Sequence, residues 1–352
     1  MAIITRIKLQ MVDIVPKVKR IDAIQSFVSQ ETPLVTIYDS NGVSGTGYSY
    51  TIGTGGHSIM AILEKTLGPA LIGKDADRME CNWRDLLFLT HATSVGAITS
   101  LALAAIDTAL WDLKCKNAGL PLWKVAGGAR KEIPLYTTDG GWLHLPQTVL
   151  VDDALAMQAK GFRGSKIKIG SDSINIDNAR LSAVREAVGD GYEIMTDGNQ
   201  GFSLSEAIRC ASMLEDHNIA WFEEPLPADD VFSHVELSRR TSVPIAVGES
   251  LYSLSQFKDY LQQGAASIVQ VDVARIGGIT AWLKVAHLAE AFNIMLCPHF
   301  LMELHLPLVC ATPNAKWLEY IPQLDSVTGE SMRIEGGMAI PVSYTHLRAH
   351  ET

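Results

Sequence analysis

The chain has 352 residues, 47% hydrophobic and 19% charged, which is the profile of a packed globular protein and not of a disordered one. Its 29 Lys and Arg stand against 39 Asp and Glu, a net charge of −10, so no basic stripe offsets the acidic field and the balance argues against a phosphate-backbone partner. The longest apolar stretch, Ala97 to Leu110, is too short to span a bilayer and carries Asp107, which excludes a membrane protein.

Met1 to Gln10 alternates Ile3, Ile7 and Leu9 with polar residues, a pattern that predicts a strand and not a signal peptide. Further strands are predicted over 33–39 and 44–50, joined as a hairpin by Asp39-Ser40-Asn41-Gly42. Ile98 to Lys116 has apolar residues at helical spacing, stopped by Asn117, Gly119 and Pro121. After Ile133 strand candidates recur near 133–138, 165–169, 192–197, 219–223, 244–249, 267–272, 294–299 and 317–321, with helical stretches between nearly all of them. Eight alternating units read as a (β/α)8 barrel, with an open doubly wound sheet as the alternative; barrels place their chemistry at the C-terminal strand ends. No strand is followed by a glycine-rich phosphate loop, and Gly277-Gly278 reads as backbone packing. Val342 to Thr352 has neither periodicity and reads as a foreign or read-through tail. The five cysteines (Cys81, Cys115, Cys210, Cys297, Cys310) are scattered and odd in number, so they read as reduced thiols of a cytoplasmic protein.

Asp197, Glu223 and Glu249 each close one of these strand candidates, at intervals of 26 and 26 residues. That interval is one strand-loop-helix-loop unit, so the three carboxylates fall at equivalent ends of successive parallel strands. Converging hard oxygen ligands are what Mg²⁺ requires. Lys166 and Lys168 share a face of their strand, and so do Asp197 and Asn199, which puts Asn199 beside the metal or its ligand. Glu224, next to Glu223, faces elsewhere. Opposite lie Asp272 and His299, where an aspartate one strand away can fix the imidazole tautomer and raise its basicity. Lys168, near a cation and Lys166, is expected to have a lowered pKa and to accept a proton. Glu319 is expected to donate or share a hydrogen bond with substrate when protonated; the alternative is a salt-bridged rim residue.

These motifs resemble the enolase superfamily, specifically its mandelate racemase subgroup, the mandelate racemase/muconate lactonizing enzyme family. The resemblance covers residues 1 to about 340 and rests on Lys166-Ile167-Lys168, Asp197-Gly198-Asn199, Glu223-Glu224-Pro225, Gly248-Glu249-Ser250, Asp272 with Arg275-Ile276-Gly277-Gly278, Cys297-Pro298-His299 and Trp317-Leu318-Glu319. Ala109-Leu110-Trp111-Asp112-Leu113 and Gly119-Leu120-Pro121-Leu122 are similar to the family's cap-to-barrel junction. The resemblance implies an α/β fold with an α+β capping domain (1–130), a modified (β/α)7β TIM barrel (131–321) instead of the plain eightfold count, and a C-terminal return to the cap (322–341), ahead of the tail read above at 342–352. It implies one Mg²⁺ per active site on Asp197, Glu223 and Glu249, Lys168 as one base and the His299–Asp272 dyad as the other. It also implies Lys166 on the substrate carboxylate and Glu319 as electrophilic donor.

Two departures bear on substrate. Gly140 stands where mandelate racemase has a serine, and the stretch that is apolar there contains Lys17, Lys19 and Arg20. These cations face either solvent or the pocket, where they suit a polyhydroxylated or second carboxylate group; mandelate is not the expected substrate. The family's closing segment is missing beyond Pro341. The expected activity is α-proton abstraction through an enediolate, dehydrating an acid sugar (aldonate or aldarate) to a 2-keto-3-deoxy acid. A racemase or epimerase of a 2-hydroxy acid is the second reading, and a catalytically idle metal-binding barrel the third. The expected partner is a small carboxylate substrate, with no nucleic acid or membrane, in a homo-oligomer.

Overall fold

Among residues 2–324 and 331–342, which the computed structural model describes, two sets of strands account for the architecture. The expected tail beyond Val342 lies outside the described residues. In the N-terminal part, β1 (Ile4–Ile14) is followed by a short ribbon of β2 (Arg20–Ile21) and β3 (Ser26–Phe27). Next come β4 (Gln30–Asp39) and β5 (Ser44–Tyr48), and β1, β4 and β5 form an antiparallel sheet in that order. The β4–β5 hairpin forms where Asp39 and Gly42 predict it, because Asp39 Oδ1 accepts the Asn41 and Val43 amides, both at 2.9 Å, mimicking a backbone turn.

The predicted helix runs over Ala97–Ala118 and ends at Gly119, which takes φ +65°. Every residue from Thr99 to Leu113 is buried, which explains an apolar run without amphipathic relief. One face lies on β5. A Cβ at Gly47 would sit 2.3 Å from the Ala105 carbonyl oxygen, so only glycine admits the helix this closely. The other face meets barrel helix Ile279–Ala291, and there Asp107 accepts from the Thr280 amide (2.8 Å) and hydroxyl (2.7 Å). The aspartate inside the apolar run therefore ties the cap to the barrel.

The barrel strands are β6 (Ile133–Thr137), β7 (Gly164–Lys168), β8 (Glu193–Asp197), β9 (Ile219–Glu223), β10 (Ile245–Val247), β11 (Ile268–Val269), β12 (Met295–Leu296) and β13 (Leu318–Tyr320). All pair in parallel with their neighbours. The sheet closes because β13 pairs with β6 and Leu296 bridges Ala315, which rules out the open sheet. A helix follows each of the first seven strands, from Gln147–Ala159 to Met302–Ala311. After β13 the described chain instead forms a hairpin of β14 (Arg333–Glu335) and β15 (Met338–Ile340), and β15 joins the start of β6 antiparallel. This is a (β/α)7β barrel. In the 322–341 stretch the hairpin is thus annexed to the barrel, and just beyond it the Val342 carbonyl accepts from Trp123 Nε1 at 3.2 Å. Tyr136, Met195, Trp221, Ala246, Ile268, Cys297 and Trp317 fill the barrel interior as a separate apolar cluster, the floor on which the polar site rests. No helix among the described residues is long and apolar enough to cross a membrane.

Candidate active site

Strand pleating decides which side chains meet above that floor. Lys166 and Lys168, two apart on β7, both turn inward, while Ile167 between them joins the outer apolar core. In the ladder Lys168 lies opposite Asp197, and Asp197 opposite Glu223. Glu249 comes from two residues beyond the end of β10. One oxygen from each of Asp197, Glu223 and Glu249 lies within 4.8 Å of the others.

The lysines are wedged among the carboxylates. Lys166 Nζ is 2.7 Å from Glu223 Oε1, 2.8 Å from Glu319 Oε1 and 3.5 Å from Asp197 Oδ2. Lys168 Nζ donates to Asp197 Oδ2 at 2.5 Å. At the other end of the triad, His299 Nε2 is 3.2 Å from Glu249 Oε2 and Nδ1 is 2.8 Å from Asp272 Oδ2. Asp272 is fully buried and also accepts from the Ala274 amide at 2.7 Å, the Arg275 amide at 3.2 Å and the Tyr50 hydroxyl at 2.8 Å. Glu319 Oε1 accepts from Thr138 Oγ1 (2.7 Å), and its Oε2 from the Phe300 amide (2.7 Å).

The charges do not balance. Asp197, Glu223, Glu249, Asp272 and Glu319 outnumber the three fixed cations, Lys166, Lys168 and Arg275, and even a protonated His299 leaves one negative charge over in a buried cluster. The strain is visible at Glu223, whose carboxyl is pushed up to about 7 by burial and by the neighbouring Asp197 charge, against the pull of Lys166. A divalent cation would relieve it. The donor set is all carboxylate oxygen, so the residues present fit Mg²⁺ and not a soft metal.

Two expectations change sign. Lys168 is raised, not lowered: burial pulls its ammonium down, but the Asp197 carboxylate against it outweighs burial while no cation shares that charge. Glu319 is drawn away from the protonated donor expected: burial pushes it up, but the Lys166 and His299 charges and the Lys166 and Thr138 hydrogen bonds bring it down to about 2, the direction of an ion-paired acceptor. His299 is raised; burial opposes this, and the Glu249 charge and the Asp272 hydrogen bond overcome it.

Among the residues expected to bind substrate, Asn199, Lys166, Glu319 and Arg20 line one pocket with Lys168 and His299. Asn199 takes φ +43°, and its Oδ1 has no partner among the described residues. Lys17 and Lys19 do not join them. Both are exposed, because the loop between β1 and β2 turns them to solvent. Arg20 alone is drawn inward, where its guanidinium bonds Asp139 (3.1 Å) and Gln323. Tyr50, Thr138 and Arg275 were not anticipated as site residues. Arg275 Nη1 lies 3.3 Å from Glu249 Oε1. Arg275 stood in a recognisable motif, but nothing in the sequence signals Tyr50, which meets Asp272 across 222 positions of chain.

A family model described as mandelate racemase/muconate lactonizing enzyme, N-terminal domain, matches residues 7–127. A second, described as enolase C-terminal domain-like, matches residues 149–343. L-talarate/galactarate dehydratase of Salmonella typhimurium is 36% identical over 304 residues, 86% of this chain and 76% of the relative. The 3,6-anhydro-alpha-L-galactonate cycloisomerase of Streptomyces coelicolor is 36% identical over 285 residues, 81% of this chain and 79% of the relative. The crystal structure of L-talarate dehydratase from Polaromonas sp. JS666, complexed with Mg and L-glucarate, superposes with a TM-score of 0.94 at 34% identity, covering 99% of this chain and 94% of that one.

Proposed function

This chain belongs to the mandelate racemase/muconate lactonizing enzyme family of the enolase superfamily, and on that footing we propose that it is a Mg²⁺-dependent acid-sugar dehydratase. The observation that carries the reading is the placement of two proton carriers at opposite ends of one acidic triad, Lys168 against Asp197 and His299 against Glu249, in a single pocket. Mg²⁺ on Asp197, Glu223 and Glu249 would supply the positive charge that makes a proton beside a carboxylate removable, by stabilising the enediolate. Lys168 takes the α-proton. A cation on Asp197 would share the charge that raises the Lys168 ammonium and so would favour the neutral amine as base. His299 as imidazolium, held by Asp272, gives its proton to the β-hydroxyl, which leaves as water; the enol then tautomerises to a 2-keto-3-deoxy acid. Lys166 and Asn199 orient the substrate carboxylate and α-hydroxyl. Arg20, at the cap side of the pocket, contacts the distal polar end of the chain.

Names of relatives favour dehydration of an aldarate or aldonate, since L-talarate/galactarate dehydratase is among them. The same two carriers also support 1,1-proton transfer, and a solved structure described as a racemase from Streptomyces coelicolor A3(2) with bound magnesium keeps that reading in play. A panel of acid sugars incubated with Mg²⁺ in D₂O separates them. A dehydratase gives a semicarbazide-reactive 2-keto-3-deoxy product, a racemase gives α-deuterated epimer, and neither keto acid nor exchange with any member defeats both. Lys168→Ala or His299→Asn with full turnover would overturn the assigned roles.

A further inference from the structure

Glu223 is the point where the barrel floor touches the site. Its Oε1 is 2.7 Å from Lys166 Nζ, while its Oε2 accepts two neutral donors, Trp221 Nε1 at 3.0 Å and Gln270 Nε2 at 2.5 Å. Among the described residues, Glu223 is the one carboxylate of the triad that takes neutral side-chain donors beside its ammonium partner. Asp197 meets two ammonium groups and the Asn199 amide, and Glu249 meets Arg275 and His299. Lys166 offsets part of the Glu223 charge through Oε1, whereas the two neutral donors fix Oε2 without neutralising it.

Both donors are themselves immobilised. Trp221 is 1% exposed, and its ring packs edge-on to Tyr136 at 5.3 Å between centroids. Gln270 is 1% exposed and its backbone amide donates to the Val247 carbonyl at 2.8 Å. A Cβ on neighbouring Gly248, at φ +151°, would lie 2.6 Å from the Gln270 carbonyl carbon, so the approach of these strands itself demands glycine. Gln270 Oε1 has no partner among the described residues, and neither has the Tyr136 hydroxyl. A buried amide with only half its bonding satisfied is a poor choice for stability alone, since an apolar side chain of the same shape would carry no such penalty.

We propose that Gln270 and Trp221 are positioning residues of the metal centre: by pinning Oε2 of Glu223 they fix the orientation of the carboxylate that a cation would meet. This rests on the metal reading of Asp197, Glu223 and Glu249. Outer partners of a ligating carboxylate set its orientation, and their loss weakens metal binding about 10–100-fold. Because both act on one oxygen, their effects are coupled and not additive.

The test is calorimetric titration of Mg²⁺ into metal-stripped wild type, Gln270→Leu, Trp221→Phe and the double variant, with thermal midpoints of the stripped proteins alongside. The expected result is a Mg²⁺ Kd raised about 10–100-fold in Gln270→Leu, with the stripped midpoint unchanged or higher and kcat/KM recovering at saturating Mg²⁺. A purely structural role moves the midpoint and leaves the Kd alone. A folded Gln270→Leu protein with the wild-type Kd overturns the proposal, and should that variant not fold, a wild-type Kd in Trp221→Phe does the same. Wild type that takes up no Mg²⁺ overturns the metal reading itself, a separate and recognisable outcome.

Discussion

Replacing Asp272 by Asn isolates the dyad, because it changes one charge and almost no volume. Asp272 is fully buried and accepts four hydrogen bonds, two from backbone amides onto Oδ1 and two, from Tyr50 and His299, onto Oδ2. The amide oxygen of an Asn must stay with the backbone amides, so its NH₂ faces Tyr50 Oη and His299 Nδ1. Burial keeps the Tyr50 hydroxyl far above its ordinary range, so it remains a donor and meets another donor. His299 Nδ1 must then accept, which forces the neutral tautomer with its proton on Nε2. The charge-assisted bond lost is worth about 1.5–3 kcal/mol, and losing an acid of this kind slows a reaction about 10²–10⁴-fold. The pH dependence has a definite sign. His299 sits above its ordinary 6.5 through Glu249 and Asp272, and a cation on Glu249 leaves Asp272 as the main support. Removing the Asp272 charge lowers the imidazole pKa, so the limb on which dehydration falls as pH rises moves to lower pH. Keto-acid formation across the pH range measures that limb, and α-deuterium exchange reports Lys168 separately. An Asp272→Asn protein with the limb in place and kcat/KM reduced less than about 10-fold refutes the imidazolium role.

Three further outcomes follow from the same geometry. Magnesium at about 100 times its Kd should add about 2.7 kcal/mol to the unfolding free energy, read as a rise in thermal midpoint that Asp197→Asn abolishes. Arg20→Met should raise KM far more than it lowers kcat, whereas Lys17→Ala and Lys19→Ala, both at exposed positions, should leave the kinetics of wild type. Asp107, buried between cap helix and barrel, has its carboxyl pushed up to about 7 by burial. Its folded pKa thus lies above the unfolded value of about 3.9, so its contribution is complete below that value and is lost as pH rises through about 7. Thermal midpoints should fall between about pH 4 and pH 7 and level off above that, and Asp107→Asn should flatten the profile.

What could be read from the chain was whatever is written at short range. Lys166 and Lys168 share a face because strands alternate, and the 26-residue interval is a property of one structural unit. Even there the level was approximate, since β10 stops at Val247 and Glu249 reaches the triad from beyond the ladder. Charge states were not legible. Glu319 reads as a free acid in sequence because its donors, Thr138, Lys166 and the Phe300 amide, lie 181, 153 and 19 positions away. The fates of Lys17, Lys19 and Arg20 were equally hidden, for three cations in one short stretch differ only in which way the loop turns them.

Those long-range contacts divide the work between the two parts of the molecule. The helix Ala97–Ala118, buried from Thr99 to Leu113, anchors the cap through apolar area, and a single fully buried Leu or Ile is worth about 1.5–3 kcal/mol. Among the described residues, the polar contacts that cross from cap to active site include Tyr50 to Asp272, Arg275 to the Tyr50 hydroxyl, and Arg20 to Asp139 and Gln323. At about 0.5–3 kcal/mol each they add little to that anchorage. Their effect is on geometry, since Tyr50 ends on the oxygen that also holds His299, and Arg20 ends on the pocket wall. A cap docked by its helix but deprived of the Tyr50 hydroxyl should therefore stay folded while His299 loses its alignment. Tyr50→Phe should accordingly lower kcat/KM with little change in thermal midpoint, and equal losses in both would show that the cap acts on the dyad only by staying in place.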